Sequence, residues 1–87
     1  MYKFEPDWAT HPADHIREYL EVLHWSQADL ARAAGLHSGR VGELLSGKRS
    51  ITPGIALKLE VALGLAADIW LGLQANWDLH ELRKRSK

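Results

Sequence analysis

The sequence predicts an all-α domain of five helices, and three observations carry that prediction. The stretch Ser26 to Arg49, SQADLARAAGLHSGRVGELLSGKR, reads as two short helices joined by a glycine turn, a helix-turn-helix. Two further segments begin with a proline at a first-turn position, Pro12 and Pro53, where the missing amide costs nothing. A final segment, from about Ala67 to Arg83, carries apolar residues over more of a helix surface than one core requires.

Taken in order, residues 1–10 form an N-terminal arm and residues 11–87 the domain. In the arm Tyr2 and Phe4 alternate with Lys3 and Glu5 before Pro6, which makes it extended, or a strand too short to stand alone, with Trp8 as its anchor. The first helix opens at Thr10, His11 and Pro12, and Asp14 sits well near its positive end. Ile16, Leu20 and Leu23 are its expected buried stripe; Asp14, Arg17, Glu18 and Glu21 face water, and His24 with Trp25 closes it.

Ser26 can cap the second helix through its hydroxyl, and Asp29 three residues on makes an imperfect reciprocal capping box. Leu30, Ala31 and Ala34 share a face, and Gly35 can take the left-handed conformation that ends the helix. Leu36 fills the corner, then Val41, Leu44 and Leu45 recur at helical spacing until Gly47. After the loop Ser50 to Pro53, a fourth helix presents Ala56, Leu59, Val61, Ala62 and Leu63 before Gly64.

On the last helix successive residues turn by ~100°, so Ile69, Trp70 and Leu71 sweep ~200°, and Leu73, Trp77, Leu79 and Leu82 continue the surplus. Its cover is either the aromatic arm of residues 2–8 or the same helix of another copy. The expectation is a two-fold homodimer with the arm contributing, and Trp70, Leu71, Leu73 and Trp77 in the interface.

Composition bounds the function. Hydrophobic residues at 46% and charged residues at 25% are proportions of a soluble globular protein. The absence of cysteine excludes disulfides and thiolate metal sites, and the polar start MYKFEPDWAT is unlike a signal peptide. No apolar run approaches the ~20 residues that span a bilayer, so a cytoplasmic protein with no membrane partner is expected. A net charge of zero argues against a nucleic-acid partner until the distribution is considered. Residues 1–30 hold two cations against six anions, whereas residues 31–58 hold five cations (Arg32, Arg40, Lys48, Arg49, Lys58) against Glu43 alone. The positive charge is concentrated on the helix-turn-helix and the segment immediately after it.

Gln27, Leu30, Ala31, Gly35, Leu36, Val41, Leu44, Gly47, Lys48 and Arg49 fall where the Cro and phage-repressor helix-turn-helix superfamily places its glutamine, core residues, turn glycine and closing Gly-Lys-Arg. With His11-Pro12, Ile51-Thr52-Pro53, Ala56-Leu57, Leu63-Gly64, Trp70-Leu71, Leu73-Gln74 and Asp78-Leu79, the chain resembles the HigA-type antitoxins, a branch related to virulence-associated protein I, over about residues 11–82. The resemblance implies a five-helix, lambda-repressor-like fold and a dimeric repressor that acts on its own operon. It also implies a cognate toxin to be neutralised, typically a ribosome-dependent messenger RNA nuclease. The chain departs from that pattern at Ala13-Asp14, usually Gly-Glu, at Trp77, usually tyrosine, and at His37, a cap position usually Ser or Thr, where Ser38 is the alternative cap.

In helix-turn-helix docking the second helix enters the major groove and the first is anchored on phosphate. That assigns Ser38, Gly39 and Glu43 to bases, Arg40 to a base edge or a phosphate, and Gln27, Lys48 and Arg49 to the backbone of double-stranded DNA. Arg40 suits guanine and Glu43 suits cytosine. A dimer would set two such helices ~34 Å apart on a palindromic operator.

Gly39 and Gly42 each weaken a helix by about 1 kcal/mol relative to alanine, so either the helix approaches DNA closely there or it is frayed. His11 and His15 are four apart, but Pro12 begins the helix between them and no HExxH completes a metal site. The serines lack a histidine and acid partner, so neither a cofactor nor an enzyme is expected. The alternative of a different class is a protein interaction module that binds a toxin or other partner with little DNA affinity.

Overall fold

The computed structural model describes residues 10–85. The expected arm, with Tyr2, Phe4 and Trp8, falls on residues 1–9, outside the described residues. Five helices occur among them: α1 (Pro12–Leu23), α2 (Gln27–Ala34), α3 (Ser38–Ser46), α4 (Pro53–Leu63) and α5 (Ala67–Arg85).

Local chemistry accounts for most of the helix starts. The Ala13 N–H donates to Nδ1 of His11 at 2.9 Å, so a histidine ring caps α1. At α2 the Ser26 hydroxyl accepts from the Asp29 N–H at 3.1 Å while the Asp29 carboxylate accepts from the Ser26 N–H at 2.8 Å. The shorter aspartate therefore closes the capping box completely. The Ser26 backbone N–H, then the Ser26 hydroxyl, and then Arg32 hold the Asp29 carboxyl below the usual aspartate range. The stabilisation from this cap is thus present at neutral pH and is lost only as acid takes the pH down through that lowered value. Thr52 caps α4 by accepting from the Ile55 N–H at 3.4 Å. α3 has no such help: His37 is its N-cap without a side-chain bond, and Ser38 is its first helical residue and does not replace it.

Helices α1 to α4 end on left-handed residues, glycine at Gly35, Gly47 and Gly64 but histidine at His24, with φ 58°. A side chain in that region is strained by about 1 kcal/mol, and His24 is exposed. His24→Gly is expected to stabilise the fold by about 0.5–1 kcal/mol, seen as a rise of a few degrees in a thermal melt followed by circular dichroism. An unchanged or lower melting temperature would mean that the strain is relieved elsewhere.

One core joins all five helices, from Ile16 and Leu20 through Leu30, Val41, Leu44, Ile51, Ile55 and Leu59 to Trp70. Two expectations are corrected here, for Trp70 and Leu23. Trp70, assigned above to a dimer interface, is 0% exposed and packs within its own chain, 5.9 Å from the ring of Tyr19. The wide apolar sweep of α5 is divided, with Trp70 inward, Leu71 half-buried and Ile69 left to water. Leu23 is not in the α1 stripe, which consists of Pro12, Ala13, Ile16 and Leu20, and Val61 is exposed while Ile55, Ala56 and Leu59 bury α4.

Gln74 is the one buried polar residue among those described. Its side-chain oxygen accepts from the Ile51 N–H at 2.8 Å and its amide donates to Asp78 at 3.0 Å. The loop after α3 is thereby fastened to α5, and a backbone donor that burial would otherwise strand is satisfied. Gln74 lies one helical turn after Trp70, on the same inward face.

Candidate nucleic-acid interface

The turn between α2 and α3 is built by Gly35, which adopts φ 68° and lets the Leu36 N–H reach back to the Ala31 carbonyl at 2.9 Å. The chain then leaves α2 at a sharp angle, with Leu36 packed against the core. Across this turn Gln27 Nε2 donates to the Ser38 carbonyl at 2.8 Å, so the first residue of α2 is fastened to the first residue of α3.

The glycines of α3 now separate. A β-carbon on Gly42 would lie 3.1 Å from Gln27 Nε2, whereas one on Gly39 would meet nothing within 4 Å. A side chain at Gly42 would press on the Gln27 amide that reaches over from α2, whereas Gly39 presents open surface. Gly42→Ala is expected to leave thermal stability near the parent value, since the gain in helix propensity of about 1 kcal/mol offsets the tight contact. It should also push the Gln27 amide off Ser38 and weaken DNA binding several-fold, measured by fluorescence anisotropy. Gly39→Ala serves as the comparison, and equal DNA affinity for the Gly42 variant and the parent would remove the role given to the Gln27 bond.

At the other end of α3, Gly47 takes φ 81°, and the Lys48 and Arg49 N–H groups both donate to the Glu43 carbonyl, at 2.9 and 3.3 Å. The same turn brings Arg49 Nε to Glu43 Oε1 at 2.8 Å. One oxygen of the Glu43 carboxylate thus holds Arg49, and the pair fastens the turn after the helix. A pair this exposed adds little stability, but it fixes where Arg49 points.

Ser38, Gly39, Arg40 and Lys48 are exposed, as is Gln27. Arg40 and Lys48 have no ion pair among the described residues, unlike Arg32, which pairs with Asp29. Arg17 is a contributor that periodicity alone did not single out. Its guanidinium pairs with Asp14 at 3.2 Å and also donates to the Leu45 carbonyl, placing a cation at the negative end of α3.

Of the other residues assigned to α5, Leu71, Leu73 and Trp77 are half-buried, and the Trp77 ring packs edge-on to His11 at 4.9 Å. Among the described residues no group of three or more His, Cys, Asp or Glu is placed to hold a metal ion.

A capped first helix, a left-handed glycine turn, and a second helix whose outer face shows Ser38, Gly39 and an unpaired Arg40 define a helix-turn-helix nucleic-acid-binding domain. The helix-turn-helix family model HTH_3 matches residues 16–70, and the chain belongs to that family. It is 40% identical over 73 residues to YddM, an uncharacterized HTH-type transcriptional regulator of Escherichia coli, covering 84% of this chain and 78% of the relative.

Among solved structures, an addiction module antidote protein of the HigA family from Coxiella burnetii superposes with a TM-score of 0.85 at 35% identity, covering 88% of this chain and 85% of that one. Pseudomonas aeruginosa antitoxin HigA, solved with the higBA promoter, gives a TM-score of 0.84 at 26% identity, covering 90% and 86%.

Proposed function

We propose that this protein is a dimeric, sequence-specific DNA-binding repressor and the antitoxin of a HigA-type toxin–antitoxin module. It binds a palindromic operator at its own promoter and neutralises a cognate toxin in the cytoplasm. The observation that carries the DNA reading is the outer face of α3. Arg40 is exposed and unpaired at its start, Gly39 offers no side chain to hold a groove wall away, and Lys48 comes just after the end of the helix. Ser38, Gly39 and Arg40 read bases, while Gln27, Lys48 and Arg49 set the register on phosphates.

Glu43 acts by positioning Arg49. Leu71 and Trp77 keep part of their surface for a second copy, which a two-fold operator requires, while Leu73 lines the groove between α1 and α5. No helix among the described residues is long and apolar enough to cross a membrane, in keeping with a cytoplasmic place. The role is binding rather than catalysis, in line with a family of DNA-binding regulators.

The test is a titration of the protein against a duplex from the promoter of its own gene at several salt concentrations. Affinity should fall steeply with salt, because each phosphate neutralised releases counterions. Lys48→Ala should weaken binding to any duplex about equally and lower the magnitude of the logarithmic salt slope by about 1. Binding without preference for the promoter over a shuffled duplex at moderate salt would remove the repressor reading and leave a protein interaction module.

A further inference from the structure

An open groove of about 460 Å³ runs between α1 and α5, lined by Tyr19, Val22, Leu65, Ile69 and Leu73, with Glu18 and, 3.9 Å from its carboxylate, His15 at the rim. Two of these apolar residues are left largely to water: Val22 is 77% exposed and Ile69 49%. Nothing in the five-helix core requires that, since the core closes on Ile16, Leu20 and Trp70 beneath. The surrounding charge is one-sided. From Glu18 to Ala31 and from Leu59 to Leu82 the sequence has no lysine or arginine, while Glu21, Glu60 and Asp68 are exposed.

We infer that this groove is the docking site for a basic partner protein, which inserts an apolar side chain between Val22 and Ile69 and sets lysines or arginines against Glu18, Glu21 and Asp68. The inference rests on the antitoxin reading above and specifies the surface that meets the toxin. Charge decides between occupants. A second copy docked here would set acidic faces against each other, and the chain's own first nine residues hold no excess of lysine or arginine to meet an acidic rim. An apolar anchor in a charge-complementary rim is the pattern that gives both affinity and fast, steered association.

The groove also lies away from the DNA-facing helix. Val22 comes five residues after Arg17, a turn of about 140° around α1, and Arg17 is the residue that reaches the end of α3. The partner and the operator therefore bind together rather than in competition.

The experiment uses the full chain with two probes: the protein encoded next to its own gene, and a leucine–lysine amphipathic helical peptide with a scrambled peptide as control. Binding is measured by calorimetry for the parent, the Val22→Glu/Ile69→Glu double variant and Glu18→Lys, with melting temperature and operator affinity as checks on folding. The expected result is that both probes bind the parent, that both variants lose roughly tenfold or more in affinity, and that operator affinity is retained with the partner bound. If the neighbouring protein binds and the variants bind it equally well, the groove is overturned and the antitoxin reading stands. If only the amphipathic peptide binds, and does so through the groove, the groove stands and the antitoxin reading falls. If neither probe binds the parent, both fall.

Discussion

Trp70→Ala is expected to lower the stability of the protein by about 3–5 kcal/mol, the usual loss when a fully buried aromatic is truncated. At roughly 0.05–0.15 kcal/mol per residue the whole domain has only about 4–13 kcal/mol to lose, so the melting temperature should drop by on the order of 20 °C or folding should fail. The side chain is 0% exposed and is the largest among the fully buried ones, and the cavity it would leave borders Tyr19. Its ring nitrogen has no hydrogen-bond partner among the described residues, which makes Trp70→Phe the informative control. Phenylalanine keeps most of the packed ring and removes the stranded N–H, so its loss should be a fraction of that for alanine. Calorimetric melts at several protein concentrations check this. A loss for Trp70→Ala that appeared only as dissociation of a dimer would return Trp70 to the interface.

The second large effect is on DNA. Arg40→Ala should weaken binding to the promoter duplex by about 1–3 kcal/mol, roughly 5–150-fold, because Arg40 is the exposed, unpaired guanidinium at the start of α3. Arg40→Lys distinguishes its two roles. A lysine keeps the charge for a phosphate but not the planar fork that grips guanine, so a base reader loses specificity in the lysine variant and a phosphate anchor does not. Anisotropy titrations on promoter and shuffled duplexes at one salt concentration give the answer. Unchanged affinity on both in the alanine variant would take α3 out of the groove.

The two predictions draw on parts of the sequence that were unequally legible. The start of α3, and with it Arg40, can be read from Gly35 and the apolar spacing of Val41 and Leu44, all within one turn or two. The side of α5 that faces inward cannot be read from its own residues. Ile69, Trp70 and Leu71 are all apolar, so no polar stripe orients the helix; the rest of the core selects Trp70. The same holds for Leu59 and Val61 on α4, one buried and one exposed although both are apolar. In the site, Gly42 answers to Gln27, fifteen residues earlier, and Glu43 answers to Arg49 across the Gly47 turn. No window of local sequence contains both members of the first pair in one element.

By itself, then, the sequence determined the number of helices, nearly all their ends and the helix-turn-helix. Those are set by caps, prolines and glycines that act on backbone groups three or four residues away. Only the tertiary structure decided which apolar residues are core, which polar side chains are spent on one another, and where an apolar groove remains open to water. Each of those depends on two distant segments meeting, and the energy of a contact belongs to neither segment alone.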